Sequence, residues 1–144
     1  MEYKDTFEKE IVTRTLQIIG EYTGLYEETL FLNLCVGLLV VPKESLYSSL
    51  PTEEVSEVQW GLNPSRISFV IDGDKSVKAT VRHVRNAIAH NGIRFGSDGG
   101  SEITHIKIED KGKGQQTPSF KAEMAISEFR FFVLKVAQFA IDNM

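Results

Sequence analysis

The sequence predicts a mainly α fold, a helical bundle of about four to five helices with a β-hairpin inserted before the last helix. Three observations predict it. Apolar residues recur at helical spacing over residues 5–22, 75–91 and 125–142. An apolar run of helix length fills residues 28–41. Strict alternation over 102–109 and again over 120–124 reads as two strands joined by a polar tip.

In the first helix, Phe7, Ile11, Ile18 and Tyr22 share one face, which Val12, Leu16 and Ile19 widen. Glu2, Asp5, Glu8 and Glu10 suit the positive end of its dipole, and Gly24 ends it. Residues 28–41 are apolar nearly all round, so a buried central helix is expected, although Val40 and Val41 also suit a strand; Pro42 stops it. Asn33 inside this run is either an amide satisfied by a neighbouring helix or a polar group aimed at a site. Lys43 to Leu50 suits a short helix, Pro51-Thr52-Glu53-Glu54 resembles a second helix start, and Trp60 to Pro64 reads as loop. Arg66 to Ile71 is compatible with extended chain. Asp72-Gly73-Asp74 is a turn leading into a helix cap.

The helix over Lys75 to Asn91 carries Val77, Val81, Val84 and Ile88 as a narrow apolar stripe and stops at Asn91-Gly92. Gly96 to Gly100 is a turn-rich link without the lysine of a phosphate-binding loop. Thr104, Ile106 and Ile108 share one side of the first hairpin strand, Asp110 to Gln116 forms the polar tip, and Phe120, Ala122 and Met124 alternate in the second strand. Phe129, Phe132, Val133, Val136 and Phe139 face inward from the last helix.

The 144 residues, 42% of them apolar, suit a single domain spanning 1–144. The net charge is -4, so a nucleic-acid partner must be met by a local basic patch. The single cysteine, Cys35, lies in the apolar run and reads as a buried structural thiol. The polar N-terminus lacks a signal-peptide core, and no apolar run reaches the ~20 residues that span a bilayer. A cytoplasmic protein with no membrane partner is expected.

The chemistry concentrates on the helix over 75–91. Lys75, Lys78, Arg82, Arg85 and Arg94 occur with no acidic residue between Asp74 and Asp98. Such a segment suits a phosphate-bearing ligand and assigns Arg82, Lys78 and Arg94 to RNA or phosphate binding; the alternative is a solvated helix face. On a helical wheel Arg82, Asn86 and His90 lie opposite the apolar stripe, with Ala79 beside them leaving room for close approach. Arg85 lies on the flank, about 140° from His90. His90 ends the helix, where an imidazole is suited to moving protons near neutral pH. His83 shares its face but lies about 10 Å along the axis, too far for one zinc, and no metal or other cofactor is expected.

Arg85-Asn86-Ala87-Ile88-Ala89-His90 matches the R-N-x-x-x-H form of the motif of catalytic HEPN domains. The helix order, the hairpin after the motif and the terminal helix also resemble small prokaryotic HEPN proteins over most of the chain. The resemblance implies a HEPN-like bundle and a metal-independent endoribonuclease that leaves 2′,3′-cyclic phosphate ends, in the setting of a toxin or anti-phage defence. It assigns catalysis to Arg85, which would stabilise the scissile phosphate, Asn86, which would position it or its neighbours, and His90, the acid-base group. It further implies a homodimer with a composite site, and an antitoxin or other regulator as partner. One departure stands out. Many HEPN toxins paired with nucleotidyltransferase antitoxins carry a tyrosine two residues after the histidine, where this chain has Gly92. Two other readings remain: a non-catalytic HEPN module that binds nucleotide, RNA or a protein, and a structural bundle in which Arg85 and His90 only bridge a dimer.

Overall fold

Alternation in the hairpin organises the folded chain more broadly than the sequence suggests. In the computed structural model, which describes residues 7–21, 33, 48–97, 99 and 103–143, the two hairpin strands are the centre of a four-stranded antiparallel sheet. The elements in chain order are α1 (Phe7–Glu21), α2 (Glu57–Trp60), a 3-10 turn (Pro64–Arg66), β1 (Ile67–Val70), α3 (Val77–Ala89), β2 (Ile93–Gly96), β3 (His105–Asp110), β4 (Phe120–Ala125) and α4 (Ile126–Asn143). The strands order as β1-β4-β3-β2.

This corrects the expected mainly α bundle: a four-stranded sheet stands beside the helices. The hairpin was legible because six residues each of β3 and β4 alternate in burial. Of the edge strands, β1 falls within the stretch 66–71 read as compatible with extended chain, whereas β2, with only four residues, escaped. β1 also breaks its register between Ile67 and Phe69, which erases the two-residue period that marks a strand.

Pairing of Ile106 with Met124, Ile108 with Ala122 and Asp110 with Phe120 puts these six side chains on one buried face. That face lies against α3, which packs on β3. Removing a branched side chain such as Ile108 from this layer costs about 2–5 kcal/mol. The opposite face carries Lys107, Glu109, Lys121 and Glu123 outward, as an antiparallel sheet with one solvated side does.

The chain divides into two compact units, residues 1–50 with 133–144, and residues 51–132. In the first, α1 buries Val12 and Ile19 of the expected apolar face together with Thr15, while Ile18 is 48% exposed; the side chains of Phe7, Ile11 and Tyr22 lie outside those described. α4 belongs to the second unit up to Phe132 and to the first from Val133 on. It buries Phe129, Phe132, Val133 and Val136 as expected, but leaves Phe139 half-buried. The turn expected at Gly24, Cys35 and Pro42 lie outside the described residues; of the run 28–41 only Asn33 is described, helical and exposed. Ser48 and Ser49 are helical within the expected 43–50 helix.

In the second unit, residues 51–55 do not start a helix. Pro51 and Glu53 carbonyls accept the N–H groups of Lys78 and Val77, and Val55 N–H donates to the Lys75 carbonyl. The segment thereby satisfies donors that the first turn of α3 cannot satisfy itself. Helix α2 starts instead at Ser56, whose side chain accepts from Gln59 N–H, and ends at Gly61 in the left-handed region at φ 72°. Among the described residues no helix is long and apolar enough to cross a membrane.

Candidate functional site

Helix α3 is fixed at both ends by its own sequence. Ser76 caps its start: the hydroxyl accepts from Ala79 N–H at 3.1 Å. Asp74 Oδ1 in turn accepts from Ser76 N–H at 2.9 Å, so the cap is Ser76 and the expected Asp74 turn supports it. The Ser76 backbone and side chain hold the Asp74 carboxyl below its ordinary range, against an opposing effect of burial, and Arg82 and His83 add lesser pulls in the same direction.

At the other end Asn91 takes the left-handed conformation at φ 58°, Asn91 N–H donates to Ile88 O at 3.3 Å and Gly92 N–H to Ala87 O at 2.6 Å. This pair of bonds is a Schellman stop with His90 as the last half-helical residue. His90 is therefore held, exposed, at the negative end of the helix dipole, its N–H on the Asn86 carbonyl at 2.9 Å.

The motif residues occupy two different settings on this helix. Arg85 is half-buried; Asn86 and His90 are exposed. Asn86 sits one turn before His90, whereas Arg85 lies five positions before it, which on a regular helix is about 140° around the axis. Arg82 is exposed and Lys78 half-buried, about 18 Å along the axis from His90. Ala79, expected on the open side, is 4% exposed. Residues 51–55 run along this end of α3, which explains why a wheel alone misplaced it.

Arg94 is not on the helix. It belongs to β2, where Arg94 Nη1 donates to the Asn91 carbonyl at 2.8 Å and the Ile93 carbonyl at 2.9 Å. Its guanidinium thus sits against the turn that carries His90. Arg94 and Lys107, opposite each other in register, line two open concavities of about 470 and 340 Å³ on the solvated sheet face. Glu123 lines both as well.

Sequence reasoning missed a polar cluster beneath the motif. Asp110, assigned to the flexible hairpin tip, is the last residue of β3 and only 6% exposed. His83, 4% exposed, donates from Nδ1 to Asp110 Oδ2 at 2.7 Å. Asn86 Nδ2 donates to the same oxygen at 3.3 Å. Phe120 stacks on the His83 ring with centroids 4.8 Å apart and planes 12° apart. The three-residue spacing of His83 and Asn86 was a helical-face signal, but their shared acceptor lies 27 and 24 residues further on. Among the described residues no group of three or more His, Cys, Asp or Glu side chains is arranged to hold a metal ion.

The family model described as HEPN pEK499 p136 matches residues 1–144. No curated protein and no solved structure matches the chain.

Proposed function

Since the chain belongs to the HEPN pEK499 p136 family, which suggests a nucleotide- or RNA-related function, we propose that it is a metal-independent endoribonuclease acting as a toxin or defence effector. The observation that carries this reading is the placement of the R-N-x-x-x-H residues. His90 stands exposed at the end of α3, one turn beyond Asn86 and next to Asn91, whose carbonyl accepts from the guanidinium of Arg94.

In this reading the ribose 2′-hydroxyl attacks the adjacent phosphorus as His90 takes its proton. The bond from phosphorus to the 5′-oxygen breaks, and that oxygen receives a proton, leaving a 2′,3′-cyclic phosphate and a 5′-hydroxyl. Arg85 offers paired donors to the charge that builds on the phosphorane oxygens. The internal nucleophile restricts the reaction to RNA. Because Arg85 and His90 diverge on one helix, the site is assembled from two copies related by a twofold axis. Arg82 and Arg94 extend the positive field along the RNA, with Lys78 at the far end of the helix.

The test is cleavage of RNA in EDTA by wild type, Arg85→Ala and His90→Ala, with product ends identified. Cyclic phosphate from wild type and a loss of at least about 100-fold in both variants are expected. Equal activity in all three sinks the assignment.

One observation favours a second reading, a non-catalytic module that binds RNA, nucleotide or a protein. Asn86 commits an N–H to Asp110, and Arg85 is half-buried, so two of three motif residues have structural work. This reading expects binding of RNA or nucleotide, or dimerisation, with no cyclic product.

A further inference from the structure

We propose that Asp110 is a positioning residue of the site, and that it turns Asn86 into a hydrogen-bond acceptor for the sugar hydroxyls of RNA. The orientation of Asn86 stands on geometry alone; its sugar partner rests on the ribonuclease reading.

A carboxylate has acceptors and no donor. Asp110 Oδ2 receives His83 Nδ1 at 2.7 Å and Asn86 Nδ2 at 3.3 Å, so the NH2 end of the Asn86 amide is the end turned inward. The carbonyl oxygen of that amide lies on the opposite end. Asn86 is exposed, so its outward group is the acceptor Oδ1. A phosphodiester also offers only acceptors and cannot bond to it. A ribose 2′-hydroxyl can, which narrows the role of Asn86 from positioning the phosphate or its neighbours to orienting the attacking sugar.

Asp110 is itself held from several sides. Its carbonyl accepts Ser119 N–H at 2.8 Å, its backbone pairs with Phe120, and Phe120 stacks on the histidine it binds. His83 Nε2 is buried and without a hydrogen-bond partner among the described residues. An imidazole placed for its own solvation would not leave that atom unpaired. Its placement makes sense as a fixed donor that keeps Asp110 in one rotamer under Asn86.

The experiment has three arms. In 1H–15N spectra the Asn86 side-chain amide should be shifted and slow to exchange in wild type, and should revert to free-amide values in Asp110→Ala. Free-amide signals in wild type, or signals unmoved in Asp110→Ala, overturn the orientation. Measured below the melting temperature of every variant, kcat for RNA cleavage should fall about 10- to 100-fold in Asp110→Ala with little change in KM. Asp110→Asn, which retains one acceptor oxygen, should recover part of the loss, and Asp110→Ala should add nothing to Asn86→Ala. A purely structural role predicts lower melting temperatures with kcat unchanged. Finally, in the His90→Ala background RNA should bind about 5-fold more tightly than 2′-O-methyl RNA of the same sequence, and Asn86→Ala should abolish the difference. Equal affinities overturn the sugar-acceptor role. Intact RNA with wild type, alongside amide signals that move in Asp110→Ala, removes the ribonuclease reading and leaves the orientation standing.

Discussion

Gly92 lies directly on the backbone of Glu109. Its carbonyl accepts the Glu109 N–H at 2.9 Å, and a Cβ at position 92 would run into the Glu109 carbonyl oxygen. The turn that ends α3 therefore reaches β3 only because position 92 has no side chain. The tyrosine that many HEPN toxins paired with nucleotidyltransferase antitoxins carry two residues after the histidine cannot be placed here without parting the turn from the strand.

Gly92→Ala should destabilise the fold by about 1–3 kcal/mol, and Gly92→Tyr by more. Urea denaturation of the two variants checks this. An unchanged midpoint for Gly92→Ala would mean that the turn and β3 yield without cost. The backbone angle is not the obstacle, since Asn91, and not Gly92, occupies the left-handed position.

The start of α3 offers a pH-dependent test. Asp74 accepts from Ser76 N–H, and the bond lowers its pKa. A carboxylate with a depressed folded pKa stabilises the fold above its unfolded pKa of about 3.9 and loses that contribution as pH falls through the folded value. Asp74→Asn should thus be less stable than wild type at pH 7, with the gap closing below about pH 4. Asp74 is exposed, so the gap is modest. Thermal unfolding across pH 3–7 reads it, and a gap that widens on acidification contradicts the assignment. Ser76→Ala should cost about 1 kcal/mol through the lost cap at acid pH, and more at pH 7, where its hydroxyl also stabilises the Asp74 carboxylate.

Glu128 ties the first turn of α4 to the strand entry. One oxygen accepts Asn63 N–H at 3.2 Å and the other accepts Arg66 Nε at 3.0 Å. Arg66 is half exposed, so the ion pair adds little, and the backbone bond is the larger contribution. Glu128→Ala should cost about 1–2 kcal/mol, whereas Glu128→Gln, which keeps an acceptor for Asn63, should recover most of it. Equal melting temperatures for the two variants would assign the effect to charge or packing instead.

How much of this was legible in the sequence follows from which signals are local. The end of α3 was, because Asn91-Gly92 carries its own turn chemistry. So was the hairpin, whose inward residues alternate for six positions in each strand. The strand Ile67–Val70 showed only as a stretch compatible with extended chain, and Ile93–Gly96 not at all, since four residues at a sheet edge cannot display a period. Asp110 looked like a solvated tip residue because its burial is decided by pairing with Phe120, a contact made ten residues away. Ala79 looked open because a helical wheel carries no information about residues 51–55 crossing the helix start. The candidate chemical residues were named from their types and spacing alone; the contact of Asn86 with Asp110 beneath them required the register of the sheet.

The proposed division of labour between Arg85 and His90 can be tested by complementation. Arg85→Ala and His90→Ala proteins should each be inactive alone. If each site takes its arginine from one copy and its histidine from the other, a mixed dimer keeps one intact site and one doubly defective site. After subunit exchange at equal concentrations half the dimers are mixed, so about a quarter of wild-type cleavage should return. Exchange is verified independently by native mass spectrometry of differently tagged copies. Recovered activity that scales with the mixed species assigns the site to two chains. Absence of recovery when mixed dimers are demonstrably present means that both residues must act from the same chain. That outcome would require α3 to deviate at its last turn from the regular helix seen here, because a regular helix separates the two side chains by about 140°.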